Sequence, residues 1–262
     1  MAETSEWISV GALGEAFAPD ANLLAQTELL SGRTISLHLE DGSISRLQFL
    51  NASQMRWQGD QVSYRATEIR SGIVLLSVAR PDKPASSIAV VLDLPRGICT
   101  ALLGQLPSKS EAMEPLLTRI TRGSELTGVR ATFLSGAIDA PWEAASPRHA
   151  KTRELIGRRI EYTYSLTEKY EHLYLNEQLY TWHCLSGSEK GLADTDRCEY
   201  RKIAEDLYLF VWREKLVPTL GIVLVDLAQL KTTGQILGYQ GFDFAAVTSF
   251  PVGARARVMR NP

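Results

Sequence analysis

Leu30-Ser31-Gly32-Arg33-Thr34-Ile35 returns 125 residues later as Leu155-Ile156-Gly157-Arg158-Arg159-Ile160, and Trp57 returns at the same spacing as Trp182. Further on, Val91-Leu92-Asp93-Leu94 lines up with Leu224-Val225-Asp226-Leu227, and Leu103-Gly104 with Leu237-Gly238, at spacings of 133 and 134. Matches that recur in the same order mark an internal duplication, and such self-similarity sets the unit that folds. The two copies run over about 30–105 and 155–240. Because the spacing widens, the second copy carries a small insertion, placed at the polar stretch 186–196.

Each copy is a series of short runs with strand character, broken by turn residues. In the first they fall at 34–39, 43–50, 61–66, 73–78, 87–92 and 98–102, with Asp41-Gly42 and Gly59-Asp60 at tight hairpins. In the second they fall at 159–164, 170–175, 179–184, 197–202, 207–213, 221–225 and 232–237. Short, evenly spaced strands of this kind form antiparallel sandwiches or barrels, and an up-and-down barrel per copy removes aggregation-prone edges. The expected fold is all-β with minor α: an N-terminal barrel over 1–106, a linker over 107–152 with a short helix at 111–121 and a Pro/Ser/Ala-rich run at 140–153, and a C-terminal barrel over 153–262.

Composition narrows the function classes. Of 262 residues, 45% are hydrophobic and 22% charged, with 28 basic against 30 acidic side chains, which excludes wholesale disorder and fibrous repeats. A net charge of −2 argues against a nucleic-acid partner, which calls for a basic face. Met1-Ala2-Glu3-Thr4-Ser5-Glu6-Trp7 is acidic and lacks the basic and apolar regions of a secretory signal. No apolar run reaches the ~20 residues that span a bilayer, so no membrane association is expected. Three cysteines without a CxxC pair fit a reducing compartment and give neither a zinc site nor a disulfide framework. The expected location is the cytoplasm.

Alternate residues of a strand share a face. In the second copy one face gathers Tyr162 and Tyr164, then Tyr170, His172 and Tyr174, then Tyr180, Trp182 and Cys184, then Tyr208, Phe210, Trp212 and Glu214. Rings with a few polar tips on four neighbouring strands can line a concave ligand cavity, or can equally be plain core. In the first copy Leu37 and Leu39 stand for Tyr162 and Tyr164, Val78 and Arg80 for Trp212 and Glu214, and Gln58 for His183. The first barrel is therefore expected to be filled by aliphatic side chains, and a site is expected in the second. If Glu214 points inward it needs a partner or a raised pKa. His172 and His183 lack a third ligand at useful spacing, so no metal is expected. The stretch 186–197, with Glu189, Lys190, Asp194, Asp196 and Arg197, reads as a solvated loop or a mouth loop over the cavity. No GxGxxG, P-loop, HExxH or GxSxG motif occurs, and no cofactor is expected.

At Tyr162-Thr163-Tyr164, at the run from Tyr174-Leu175-Asn176-Glu177 through Trp182-His183-Cys184 to Gly187, and at Ala193-Asp194-Thr195-Asp196-Arg197-Cys198, the chain resembles the MoaF family, labelled molybdenum cofactor biosynthesis protein F. The resemblance spans nearly the whole chain and implies a pair of calycin-type, lipocalin-like barrels. A more distant resemblance is to phenolic acid decarboxylases, calycin barrels with a Tyr-Thr-Tyr strand, a later Trp-x-Glu and an arginine between. There the tyrosines engage the substrate carboxylate and the glutamate works at the phenol end. Tyr162-Thr163-Tyr164 matches the first motif and Trp212-Arg213-Glu214 the second. The arginine position falls at Leu192, leaving Arg197 or Lys190 to stand in.

Three readings follow. The first is a protein that binds a small aromatic or heterocyclic metabolite in its C-terminal barrel, through His172, Tyr174, Tyr180, Trp182, His183, Arg197, Tyr208 and Trp212. The second is a cofactor-free lyase or isomerase acting on a phenolic-type acid, with Glu214 as general acid/base and Tyr162 and Tyr164 orienting the carboxylate. The third is a structural or partner-binding protein with filled barrels. The expected partner is a small molecule, with self-association left open.

Overall fold

Alternation of apolar and polar residues builds the first barrel. In β1 (Thr34–Leu39), Ile35, Leu37 and Leu39 point inward, and the strand turns through Asp41-Gly42 (Gly42 φ 85°) into β2 (Ile44–Phe49). The sheet continues antiparallel through β3 (Gln54–Trp57), β4 (Asp60–Arg70), β5 (Ile73–Val78), β6 (Ser86–Asp93) and β7 (Ile98–Gln105) to β8 (Arg130–Ile138), which pairs back onto β1 and closes an eight-stranded barrel. The structure, a computed structural model, describes residues 6–18, 20–78, 83 and 85–259. Arg80, the expected counterpart of Glu214, lies outside them.

The second barrel repeats the plan. It runs through β9 (Arg159–Thr163), β10 (Lys169–Tyr174), β11 (Leu179–Ser186), β12 (Ala193–Ala204), β13 (Leu207–Arg213), β14 (Thr219–Asp226) and β15 (Lys231–Tyr239). The eighth strand, β17 (Arg255–Met259), closes it between β15 and β9, while β16 (Val247–Val252) is an extra strand carried outside the ring on β15. The duplication is visible atom by atom. Leu30 and Leu155 are both fully buried, and the glycines that follow them, Gly32 and Gly157, both take left-handed backbone (φ 75° and 81°). Asp93 and Asp226 each end a strand by accepting from the backbone N–H three residues on, of Arg96 (3.2 Å) and Gln229 (2.8 Å).

The division into compact units is not contiguous along the chain. One unit holds Leu24–Gly104 and Ala131–Ala150; the other holds the remaining described residues, 6–23, 105–130 and 151–259. The stretch 107–152, expected as a linker, thus supplies β8 to the first barrel. It also supplies two short helices to the second unit, α2 (Lys109–Ala112) and α3 (Leu116–Thr121), in place of one helix over 111–121. They are separated at Pro115, which has no N–H to carry a helix through.

A further helix was not expected. α1 (Val10–Phe17), capped by Ser9, lies against β15 of the second barrel. Its approach depends on two glycines: a Cβ on Gly11 would stand 2.4 Å from the Gln240 carbonyl oxygen, and one on Gly238 2.3 Å from Val10 Cγ2. Among the described residues no helix is long and apolar enough to cross a membrane.

Candidate binding cavity

The aromatic face of the second barrel points inward. Tyr162, Tyr164, Tyr170, Tyr174, Tyr180, Trp182, Tyr208, Phe210 and Trp212 are all buried in one cluster. They do not share one environment. At one end Tyr162 and Tyr174 hydrogen-bond to each other through their hydroxyls (2.6 Å), and Tyr208, at the start of β13, donates to Glu154 (2.8 Å). Those three rings are satisfied there, outside the cavity lining.

At the other end a cavity of about 40 Å³ opens between the barrel and α1. Its walls are Tyr164, Tyr170, His172, Tyr180, Trp182 and Trp212, and α1 closes it with Val10, Leu13 and Phe17, the last stacked on Tyr164 at 4.7 Å between ring centres. Of the residues singled out from the sequence, the cavity therefore gathers Tyr164, His172, Tyr180, Trp182, Trp212 and Glu214. It leaves out Tyr162, Tyr174 and Tyr208 for the reason above. It also leaves out two that alternation puts on the outer face: His183 is half-buried between Glu171 and Ala193 in the sheet, and Arg197 reaches Gln178 (2.7 Å) and Glu125 (3.6 Å) instead.

Two tryptophans each hand an indole N–H to a carboxylate: Trp212 to Glu214 (2.8 Å) and Trp182 to Asp196 (3.1 Å). Trp212 can lie as it does because Gly221 faces it across the β13–β14 pair; a Cβ on Gly221 would stand 2.1 Å from the indole. Asp196 is bound on its far side by Lys215, through the backbone N–H (3.0 Å) and the ammonium group (3.4 Å). Burial raises Asp196 above the usual carboxylate range, with Lys215 pulling the other way. Glu214 is raised further, first by burial and then by the negative neighbours Asp196 and Glu189.

Glu189 comes from the inserted loop. It folds back until it is 7% exposed and accepts from the Tyr170 hydroxyl (3.0 Å), and burial lifts its carboxyl too. The sequence offered Glu189 as one charge in a polar loop; its inward turn depends on Gly187 (φ 119°), where a Cβ would collide with the Glu168 carboxylate at 2.0 Å. His172 sits beneath these acids, ringed by Tyr162, Tyr180, Phe210 and Trp212, with Nδ1 buried and unpartnered. Burial depresses its pKa to about 3, so the imidazole is neutral. Among the described residues the lining thus holds two carboxyl groups and one neutral imidazole, and no lysine or arginine.

The three cysteines are free and buried, and burial raises the thiols of Cys99 and Cys198 to about 12 and that of Cys184 to about 11, which leaves them inert. Among the described residues no group of three or more His, Cys, Asp or Glu side chains could hold a metal ion.

Residues 5–108 match the MoaF N-terminal domain and residues 149–261 the MoaF C-terminal domain. The chain is 42% identical to Protein MoaF of Klebsiella aerogenes over 99% of its own length and 97% of that protein's. This chain belongs to the MoaF family. Among solved structures, one similar to part of this MoaF-family chain is a putative beta-lactamase from Burkholderia vietnamiensis, 13% identical, covering 42% of this chain and 100% of that one. Its TM-score of 0.36 is too low to carry any argument. The N-terminal match spans α1 and β1–β7, the C-terminal match spans β9–β17, and β8 of the first barrel falls between the two.

Proposed function

We propose that this MoaF-family protein binds a small aromatic or heterocyclic metabolite in its C-terminal barrel, one that is neutral or cationic where it meets Glu189 and Glu214. The observation that carries this reading is the polar chemistry of the lining: two carboxyl groups, which an entering cation can ionise, and an unpartnered neutral imidazole face an aromatic-walled space that holds no lysine or arginine among the described residues. A ring held between Trp182, Trp212 and Tyr164 gains offset or edge contacts, and an ammonium group there gains cation–π attraction as well. At about 40 Å³ the cavity takes a few waters, so a ring enters by displacing Phe17, which already occupies a stacking place on Tyr164.

The lyase reading keeps Glu214 as proton carrier, but its carboxylate clamp has no counterpart in the lining: Arg197 lies on the outer face. A planar guanidinium fork is what holds a carboxylate bidentately, so acid substrates are disfavoured.

Titration of the full chain with 2-phenylethylamine and its acid counterpart 3-phenylpropionate, read by tryptophan fluorescence and calorimetry, tests the charge rule. The amine should bind saturably and the acid at least about tenfold more weakly, with Glu214→Gln erasing most of the difference. Equal binding, or tighter acid binding, overturns it. A pterin included in the same panel tests the link to molybdenum cofactor chemistry that the family label carries, and chromatography of each ligand after incubation separates binding from turnover.

A further inference from the structure

The N-terminal barrel was expected to be filled, and it is not. Its interior holds a cavity of about 200 Å³, several times that of its twin. The duplication explains why. Through the shared register, Leu37 and Leu39 stand where the second barrel has Tyr162 and Tyr164, Ser45 where it has Tyr170, and Leu76 where it has Phe210. Both rings of strands close with eight members, and barrel width is set by strand number and stagger rather than by side-chain size. Rings replaced by aliphatic chains in a scaffold of equal strand number leave space behind.

We propose that this space is a second binding site, for an uncharged, predominantly apolar molecule of one to two fused rings. Among the described residues the lining carries no ionisable side chain; its polar groups are those of Ser45, Gln58 and Trp57, with the Trp57 indole N–H 3.4 Å from Ser45 Oγ. A charged ligand would be desolvated there without a partner, whereas a lone hydroxyl or ring N–H finds Ser45 or Gln58. Apolar cavities of about 150 Å³ stay dry and take up benzene, so one of about 200 Å³ has room for a somewhat larger ring system. The half-exposed Leu103 on the lining gives the cavity a side open to solvent.

The probe is 2-naphthol, uncharged at neutral pH, against its anionic counterpart 2-naphthoate, titrated into the full chain and followed by calorimetry and by amide chemical shifts. Saturable naphthol binding is expected, with shifts at β1, β5 and β6, and naphthoate weaker by at least about tenfold. Leu76→Phe restores the ring of the twin barrel and should weaken naphthol by at least about tenfold while raising the thermal midpoint. Leu37→Phe, an independent filling at another wall of the cavity, keeps the test decisive if the first variant folds poorly. Naphthol-induced shifts should be absent from β10, β11 and β13, which separates this site from the C-terminal one. No saturable binding, equal binding of naphthoate, or binding that survives both fillings overturns the proposal.

Discussion

At residue scale the C-terminal cavity turns on His172 and Glu214, whose protonation responds to burial in opposite directions. His172 is held near 3 in the folded state against about 6.5 in an open chain, so its folded form refuses a proton that the unfolded form accepts. Stability from this group is intact above pH 6.5 and is lost as pH falls through the window down to 3, amounting to about 2 kcal/mol by pH 5. His172→Phe should therefore gain on the native protein as pH drops from 7 to 5, seen as a closing or crossing gap in thermal midpoints; a constant gap would show an imidazole that titrates freely. Glu214 was legible in the sequence because a carboxylate two residues after a buried tryptophan has few ways to be satisfied. Glu189 was legible only as a loop charge, since nothing local reveals that Gly187 turns it inward. Arg197 misled for the same reason in reverse: its neighbours in sequence are aromatic and acidic, but strand alternation puts it on the outer face.

At the scale of elements, α1 is the part of the site that the sequence did not disclose. Val10-Gly11-Ala12-Leu13-Gly14 contains two glycines, each costing about 1 kcal/mol of helix propensity, and tertiary contact overrides that cost. Phe17→Ala removes the ring stacked on Tyr164 and should lower stability by about 3–5 kcal/mol while tightening 2-phenylethylamine binding, because the place on Tyr164 is vacated. Binding weakened in step with stability would make α1 a wall rather than a stopper. Gly238→Val should unseat the helix without breaking β15, so that amide exchange at residues 10–17 accelerates and that of β15 stays slow. Four strands escaped the sequence reading, among them β16, which also lies beyond the second repeated stretch. β3 is only four residues long, while β8 and β17 lie outside the two repeated stretches and are strands because the ring needs an eighth member.

At the scale of the whole molecule the duplication made the fold readable: two copies of one strand series allow few architectures, and the eight-stranded barrels follow. What each copy encloses was not readable, because interior volume depends on the sum of inward side chains against a ring of fixed strand number. The pH response of the chain collects the buried acids. Glu214, Glu189, Asp196 and Glu199 are all raised by burial, so each contributes stability that is complete below the ordinary carboxylate range and declines as pH rises through its lifted value. Glu214→Gln should thus gain on the native protein as pH is raised from 5 to 8, the opposite trend to His172→Phe. Parallel midpoint curves would mean that Glu214 stays ionised in the fold.

The pairing of Trp212 with Gly221 bears on how two such barrels diverge. Their counterparts in the first barrel, Val78 and Ile88, face each other across the same strand pair. One pair is a large ring against no side chain, the other two side chains of middling size. Descent from one state to the other has a fixed order: the tryptophan can shrink first and leave a hole, but the glycine cannot grow while the indole lies on it. A lineage leaving the aromatic form passes through an under-packed intermediate before it reaches the aliphatic one. The return journey must likewise begin at the isoleucine. The glycine is a latch on ancestry, and sequences in this family should rarely carry tryptophan and a branched residue at these two positions together.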